Sequence, residues 1–331
     1  MVGRSGRVTI RSVADAAGVS IATVSRVMSG QNVRPELADR VRNAAERLGY
    51  HPNPAAQGLV SGVNRTVGVI VPDLANPYFN GVLKALNGNA SHAGFRTLVA
   101  DSDNDENEEL EISRNLLRYV DGLVLVSPRM PAESLRVLAK ESPNIVLVNR
   151  VTVGLGLPTV AVDAFGAMLE LCGHLARLGH RKLAYLEGPP AAWQSVERRR
   201  AVEQAEAFGL DVAFVPAGPS IEHGRDAVDE ALTHQPTALV SFNDLVALGA
   251  LSRLRELGLR VPEDLSLTGT DDIAFARFSA PSLTTTAAPQ QRLGDGAWEL
   301  LSAVMAGETT EEIPLLKAEL VVRDSTGPAP S

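Results

Sequence analysis

The sequence is poor in the residues that build disulfides, metal centres and membrane spans. Cys172 is the only cysteine among 331 residues, which excludes an intrachain disulfide, a cysteine zinc cluster and a redox pair. No stretch approaches the roughly 18 apolar residues of a membrane span. The N-terminal residues MVGRSGRVTI lack the apolar segment of a secretory signal. These absences indicate a cytoplasmic globular protein, in which the lone cysteine is a small buried hydrophobic residue.

Motifs for catalysis and cofactor binding are also missing. The sequence has neither a Gly-x-Ser-x-Gly elbow nor a phosphate-binding P-loop. The acidic segment DSDNDENEE (101–109) lacks the glycine and the glutamate that a calcium loop needs at its sixth and twelfth positions, and is better interpreted as a solvated helix N-terminus. His174 and His180 are six residues apart, which does not place them on one helical face. We therefore expect no enzyme activity, no cofactor and no metal site.

Charge is distributed unevenly along the chain. The net charge is −8, but residues 1–65 hold nine arginines and four acidic residues, a net charge of +5, which leaves −13 for the remainder. A basic segment joined to an acidic body is typical of a small nucleic-acid-binding module attached to a second domain.

The first fifty residues predict three helices. Thr9 is a candidate N-cap for a helix over about 10–17 that Gly18 ends, and Ser20 for a second helix over IATVSRVMS (21–29). Pro35 suits the first turn of a third, PELADRVRNAAERLGY (35–50), which carries an apolar stripe at helical spacing.

The spacing of VADAAGVSIATVSRV (13–27) predicts a helix-turn-helix. Ile21, Ala22 and Arg26 then point outward, where apolar groups could touch thymine methyls and arginine could pair with guanine. Thr23 and Ser25 could bind phosphate oxygens. The alternative is an ordinary helical hairpin with a hydrophobic stripe.

Beyond residue 65, short β-branched runs alternate with amphipathic stretches. TVGVIV (66–71), RTLVA (96–100), GLVLV (122–126) and NIVLV (144–148) form one series. A second series starts after residue 160 with TVAVD and continues with KLAYL, DVAFV, TALVSF and DLSLTG. Runs that are apolar on both faces fit buried parallel strands with crossover helices, and their number favours two α/β lobes. RLGDGAWELLSAVMAGE (292–308) is expected to be helical, and GPAPS (327–331) a disordered tail.

Polar and aromatic residues follow these strands, where a doubly wound sheet binds its ligands. Tyr78, Phe79 and Trp193, out of only 14 aromatic residues in the chain, lie in such segments among aspartate, asparagine and arginine. Flat apolar faces beside hydrogen-bonding groups suit a sugar, and they also suit a purine or nucleoside.

The chain resembles the lactose-repressor (LacI/GalR) family of bacterial transcription regulators. The resemblance rests on segments in family order along the whole chain, among them VTIRSVADAAGVSIATVSRVMSG, LGYHPN, VGVIVPDLANPYF, LARLGHRKLAYLEGP and LGLRVPEDLSLTGTDDI. It implies an all-α helix-turn-helix headpiece (1–52), a hinge (53–65), and an α/β core with parallel sheets (66–331) similar to periplasmic binding proteins. Lobe 1 would comprise about 66–162 and 292–320, and lobe 2 about 163–291 and 321–331.

In such proteins the hinge forms a helix on operator DNA and inserts a leucine into the minor groove. That leucine is Leu59 here, and Asn53 is a candidate cap. Pro54 and Gly58 depart from the usual pattern, and a mid-helix glycine costs about 1 kcal/mol relative to alanine. We therefore expect a hinge that is unfolded without DNA and more weakly ordered on it than in a typical relative. The predicted DNA-binding residues are Thr9, Ser20, Ile21, Ala22, Thr23, Ser25, Arg26, Asn32, Tyr50, Asn53, Gln57 and Leu59.

The resemblance also identifies candidate effector contacts. Tyr78 and Phe79 match the family's aromatic pair, Arg198 its effector-binding arginine, and Asp271 the first acid of a turn in which Thr270 replaces an aromatic residue. The full predicted set is Asp73, Tyr78, Phe79, Asn149, Phe165, Trp193, Arg198, Asn243, Asp244 and Asp271.

The expected function is that of a DNA-binding regulator, with repression relieved by a small effector. We expect a two-fold homodimer on a palindromic operator, without a tetramer-forming tail. The sugar is favoured as effector, with a purine or nucleoside as the alternative. A solute-binding protein without a DNA function would share the two lobes, but the basic N-terminal segment argues against it.

Overall fold

The computed structural model describes residues 8–28, 32–50, 64–152, 154–311 and 313–330, and the chain divides into two compact units, 1–65 and 66–331. The first unit contains α1 (Ile10–Ala17), α2 (Ile21–Met28) and α3 (Pro35–Leu48). Asn53, Gln57 and Leu59 of the predicted hinge lie outside the described residues, as do Pro54 and Gly58.

The ends of these helices follow from their capping residues. The Thr9 hydroxyl accepts from the Ser12 amide, and Gly18 ends α1 in the left-handed conformation at φ 61°. The Ser20 hydroxyl accepts from the Thr23 amide at 3.1 Å and so caps α2. Gly49 takes φ 63° after Leu48, so α3 ends two residues earlier than the sequence predicted.

The three helices share a small core of their own. Val13, Val24 and Val41 have no exposed surface, and Ala14, Ala17, Ala44 and Ala45 pack around them. Arg40 of α3 donates from Nη2 to the carbonyl of Ala17 at 2.5 Å, which ties α3 to the α1–α2 turn. The helix-turn-helix arrangement is therefore held by close packing of valine and alanine side chains and by one arginine hydrogen bond.

The second unit begins with a five-stranded parallel sheet in the order β2-β1-β3-β4-β5. Its strands are β1 (Thr66–Val71), β2 (Arg96–Asp101), β3 (Gly122–Val126), β4 (Ile145–Val148) and β5 (Thr159–Val160). The helices that follow the first three strands are α4 (Pro77–His92), α5 (Glu106–Leu116) and α6 (Ala132–Glu141).

Two details of this sheet differ from the sequence expectation. β5 comes from the TVAVD run, which we had grouped with the second series, but it pairs with β4 and completes the first sheet. The predicted burial on both faces is confirmed for β1, β3 and β4. The prediction is wrong for β2, an edge strand in which Leu98 and Val99 are exposed.

A second parallel sheet has the order β7-β6-β8-β9. Its strands are β6 (Lys182–Glu187), β7 (Asp211–Pro216), β8 (Ala238–Ser241) and β9 (Ser266–Thr268). The helices of this region are α7 (Ala164–Arg177), α8 (Trp193–Gln204), α9 (Ile221–Asp226), α10 (Val228–Thr233), α11 (Asp244–Glu256) and α12 (Ala274–Phe278), with a 3₁₀ turn at Ala205–Phe208.

The chain passes between the two sheets at short connecting segments. β10 (Thr285–Ala287) pairs antiparallel with β11 (Glu319–Val321), and between them α13 (Gln290–Met305) returns to pack against α4. The expectation of a disordered tail is wrong for 327–330. The Gly327 amide donates to Ser266 Oγ at 3.1 Å and the Ala329 amide to the Leu178 carbonyl at 2.9 Å, so these residues are held against the second sheet.

Candidate functional site

The strand orders of the two sheets locate the site. In each sheet the order reverses beside the first strand, between β1 and β3 in one and between β6 and β8 in the other. Ligands of open α/β sheets bind beyond the carboxyl ends of strands at such reversal points. Segments that follow these four strands meet around one cavity of about 30 Å³, which we call the cleft. Its lining residues are Asp73, Asn76, Tyr78, Phe79, Asn104, Ser127, Arg129, Gln194, Arg198, Pro219, Phe242, Asn243 and Asp271.

An ion pair between Arg198 and Asp271 forms one wall of the cleft. Arg198 Nη2 lies 3.0 Å from Asp271 Oδ1, and its Nη1 donates to the Phe242 carbonyl at 2.7 Å. The guanidinium also lies over the Phe242 ring, 4.9 Å from its centroid. Burial raises the pKa of Asp271 to about 6, although Arg198 acts in the opposite direction. The pair therefore presents a carboxylate and a guanidinium, held in place by each other, to the cavity.

Two aromatic rings form a further part of the lining. Asn76 caps α4 by accepting from the Tyr78 amide at 3.0 Å, which fixes the start of the helix that carries Tyr78 and Phe79. The two rings meet edge to face, with centroids 5.2 Å apart. Asn149 donates to the Tyr78 hydroxyl at 2.7 Å and accepts from the Val162 amide. The second bond fixes the Asn149 amide, and the first then fixes the position of the Tyr78 phenol.

Unusual backbone conformations cluster at the cleft. Asn104 (φ 58°), Ser127 (φ 49°) and Asp271 (φ 110°) line it and occupy positive φ, and Asn149 behind Tyr78 does so at 55°. Positive φ is uncommon for residues other than glycine and concentrates at functional sites. The conformation of these residues thus supports the cleft as the functional centre of this unit.

Six of the ten predicted effector residues line the cleft, namely Asp73, Tyr78, Phe79, Arg198, Asn243 and Asp271. Asn149 does not line the cleft, but it donates a hydrogen bond to Tyr78, which does. Phe165 is the second residue of α7 and packs against the core with Arg200 over its ring, and Trp193 begins α8 without lining the cavity. Asp244 is buried, and both its oxygens are occupied, since they accept from the Ile273 amide at 2.8 Å and the Thr285 hydroxyl at 2.6 Å.

Sequence reasoning missed several lining residues. Ser127 and Arg129 follow β3, and the rule that ligands bind beyond strand ends finds them. Asn76, Asn104, Gln194 and Phe242 follow β1, β2, β6 and β8 in the same way, but were not among the predicted residues.

Five of the predicted DNA-binding residues lie on α2, at its start and along its exposed side, and Thr9, Ser20, Asn32 and Tyr50 lie beside the three helices of the headpiece. Ile21 is 42% exposed, and Ala22 and Arg26 are also exposed. Thr23 is partly committed to the cap, because its hydroxyl lies 2.9 Å from that of Ser20, and Ser25 is half-buried. Thr9 caps α1, Asn32 is exposed before α3, and Tyr50 packs against the headpiece core.

The fold and the cleft define a class of protein: a helix-turn-helix unit in the same chain as a doubly wound, periplasmic-binding-protein-like unit with a polar cavity. Comparison with known proteins agrees. Residues 9–53 match the family described as "Bacterial regulatory proteins, lacI family", and residues 172–326 match the "Periplasmic binding protein-like domain".

Individual relatives extend over nearly the whole chain. The HTH-type transcriptional repressor CytR of Escherichia coli K12 is 32% identical, with 97% of each chain covered. The structure of the lac repressor dimer bound to operator and the anti-inducer ONPF aligns with a TM-score of 0.84 and 26% identity over 97% of this chain and 99% of that one. The complex of the transcriptional regulator CelR with cellobiose aligns with a TM-score of 0.71 and 29% identity, over 96% and 100%. The chain belongs to the lacI family of bacterial regulatory proteins, and it is a DNA-binding transcription regulator and not an enzyme.

None of the helices in the described ranges is long and apolar enough to cross a membrane.

Proposed function

We propose that this protein represses transcription from an operator, and that a sugar bound in the cleft changes its affinity for that DNA. The observation that carries the proposal is the composition of the cleft: Asp73, Arg198, Asn243 and Asp271 surround a cavity walled by Tyr78 and Phe79. Ring CH groups of a sugar would pack on the aromatic faces while its hydroxyls pair with the polar groups. The related complex of CelR with cellobiose supports a sugar.

Ligand entry requires the cleft to widen. A cavity of about 30 Å³ holds roughly two waters, whereas ligand sites usually measure about 300 Å³ or more. Hydrogen bonds cross the cleft from Gln194 Nε2 to Ser127 Oγ at 3.1 Å and from Arg150 Nη1 to the Ala191 carbonyl at 3.2 Å. A sugar would break or replace such bonds, so its binding is coupled to the relative position of the two proposed lobes.

On DNA, α2 would act as the recognition helix of a two-fold dimer. One headpiece contacts too few bases for tight specific binding, and a dimer places two such helices in successive major grooves of a palindromic operator. The related lac repressor, described as a dimer bound to operator, supports this arrangement. Ile21 and Ala22 would contact thymine methyls and Arg26 a guanine. Operator DNA is cytoplasmic, and we place the protein there.

The effect of sugar on DNA binding is reciprocal. If sugar weakens operator binding, operator weakens sugar binding by the same factor, typically about 1 to 3 kcal/mol in free energy. We propose release of the operator by sugar, because the cleft must change shape on binding.

A ligand screen followed by operator binding tests this function. Thermal-shift assays of the full chain with sugars and with purines and nucleosides identify binders, since a ligand of the folded state raises its stability. Operator affinity is then measured with and without each hit, on duplexes selected by the full chain. A sugar that weakens operator binding supports the proposal. A purine or nucleoside with that effect would assign the alternative effector, and ligands that bind without altering operator affinity would refute the coupling.

A further inference from the structure

Arg129 is a buried arginine on the cleft that the function described so far leaves unused. It lies two residues after Ser127, at the carboxyl end of β3, and its relative exposure is 5%. Its Nε donates to Asn104 Oδ1 at 3.1 Å and its Nη1 to the Ser127 carbonyl at 2.9 Å. Both acceptors are neutral. Its Nη2 has no hydrogen-bond partner within the described part of the chain, although the residue lines the cavity.

Arg129 and Arg198 carry the same charge but differ in whether they form an ion pair. Arg198 forms an ion pair with Asp271 at 3.0 Å, whereas Arg129 forms none with any carboxylate among the described residues. A buried charge without a counter-ion is costly, and proteins normally pair such groups. An arginine placed in this way at a binding cavity has donors available for an anionic ligand.

The carboxyl groups of Glu109 and Asp73 compensate the charge of Arg129 only in part, and neither accepts a hydrogen bond from its guanidinium. Glu109 is fully buried, and its Oε2 accepts from the main-chain amides of Arg129 and Met130, at 2.8 and 2.7 Å, and not from the guanidinium. Burial raises the pKa of Glu109 to about 7, so this group is only partly ionised at neutral pH. Burial lowers the pKa of Arg129 to about 10, so the arginine stays charged there. One oxygen of Asp73 accepts from the Ala75 amide at 2.7 Å.

We propose that the effector is an anionic sugar derivative, a polyhydroxylated compound carrying a carboxylate or a phosphate that binds Arg129. This inference rests on the proposed sugar-responsive function and names the chemical class of the ligand. The planar guanidinium donates two parallel hydrogen bonds to such an anion. Asp73, Asn243 and Asp271 accept from the hydroxyl groups, which an anion without hydroxyls would not offer. The ligand class therefore combines one negative charge at β3 with hydroxyls along the remaining walls.

Matched pairs of neutral and anionic sugars test the proposal on the full chain. Isothermal titration compares glucose with gluconate, glucuronate and glucose 6-phosphate, galactose with galacturonate, and ribose with ribose 5-phosphate. In at least one pair the anion binds about tenfold or more tightly than the neutral sugar, as expected for charged hydrogen bonds of about 1.5 to 3 kcal/mol. The acids and the phosphates within the panel distinguish a carboxylate ligand from a phosphate ligand.

Variants assign that preference to Arg129. Arg129→Gln abolishes the preference for the anion, measured as the ratio of the affinities of one variant for the anion and for its neutral sugar, because glutamine carries no charge. Arg129→Lys retains the charge and part of the preference, which keeps the test valid if the glutamine variant folds poorly. Arg136→Gln is the matched control: this nearby arginine is exposed and pairs with Glu133, and its variant keeps the wild-type preference.

Three results overturn the proposal: a neutral sugar that binds as tightly as its anion in every pair, a preference that survives Arg129→Gln, or no binding by any anion. A neutral sugar that binds as tightly as its anion in every pair and alters operator affinity would overturn only the anionic class and leave the proposed function standing. If instead an anion binds through Arg129 without altering operator affinity, the anionic class stands and the regulatory function fails.

Discussion

At the scale of single residues, buried carboxyl groups around the cleft are held in different ways. Asp271 is paired with Arg198, Asp244 accepts from a hydroxyl and an amide, and Glu109 accepts from two amides through one oxygen. The other oxygen of Glu109 is buried without a partner. Burial raises the pKa of all three groups, which makes their ionisation unfavourable for the folded state.

The stability of the protein should therefore depend on pH through Glu109. Its pKa is about 7 when folded, against an ordinary value of 4.5, so its favourable contribution is complete below pH 4.5 and is lost as pH rises through 7. We expect Glu109→Gln to destabilise less at pH 8 than at pH 5, by up to about 3 kcal/mol at 1.36 kcal/mol per pKa unit. Urea unfolding at both pH values measures this difference.

Glu141→Gln is the control for that pH dependence. The Glu141 carboxylate is exposed, and Arg114 lowers its pKa, so its contribution is present at neutral pH and is lost on acidification. Its variant should show the opposite trend with pH. A destabilisation by Glu109→Gln that is equal at pH 5 and pH 8 would refute the assignment.

Breaking the ion pair in the cleft should cost more than breaking one on the surface. Arg198→Met leaves Asp271 buried without its partner and should lower the free energy of unfolding by about 3 kcal/mol. Arg200→Met breaks the Arg200–Glu197 pair, whose arginine is largely exposed, and should cost at most about 1 kcal/mol. Chemical denaturation of both variants at pH 7 measures the two losses in the free energy of unfolding. Equal losses would mean that the Arg198–Asp271 pair is effectively solvated.

At the scale of elements, local sequence signals predicted most of the fold. Continuous apolar runs located β1 and β3 at their observed bounds, because strands covered on both faces need them. β10 and β11 were missed, since each has only three residues and forms through a pairing between segments distant in sequence. The register of β5 likewise depends on which strand it meets.

The candidate site was predicted in part for a similar reason. Strand ends pointed to the segments that hold Asp73, Arg198 and Asp271, and the family resemblance singled out Arg198 and Asp271 within them; all three line the cleft. The same rule could not separate Asp271 from Asp244, because both acids follow a strand and only the packing shows that Asp244 bonds inward. Which way a polar side chain turns after its strand depends on tertiary contacts that periodicity does not contain.

The α1–α2 turn provides a test at the same scale. Gly18 has φ 61°, and a Cβ there would lie 2.8 Å from Arg40 Nη2, the group that donates to the Ala17 carbonyl. Gly18→Ala should therefore cost backbone strain of about 1 kcal/mol plus part of that hydrogen bond, about 2 kcal/mol in all. Hydrogen exchange of the α1 and α2 amides measures the loss as local opening.

Gly49→Ala separates strain from contact. Gly49 has φ 63° and nothing within 4 Å of an added Cβ, so its variant carries only the backbone cost. Hydrogen exchange of the α3 amides should show the smaller loss. If both substitutions reduce protection equally, the Arg40 contact does not stabilise the turn.

At the scale of the whole molecule, the two regions proposed to bind DNA and effector carry net charges of opposite sign. The first 65 residues carry a net charge of +5 and the remainder −13. Positive charge attracts the DNA backbone and the negative charge of the remainder repels it, which favours approach through the headpiece. We propose that ligand bound in the acidic core changes the affinity of the basic headpiece for operator DNA.

The most direct test is the operator affinity of the protein, measured by fluorescence anisotropy with and without a sugar that binds the core. Saturating sugar should weaken operator binding by about 5- to 150-fold, the range of a coupling of about 1 to 3 kcal/mol. Arg198→Met should remove this response while the ligand-free affinity stays near that of the wild type. An operator affinity that is the same with and without bound sugar would contradict the account.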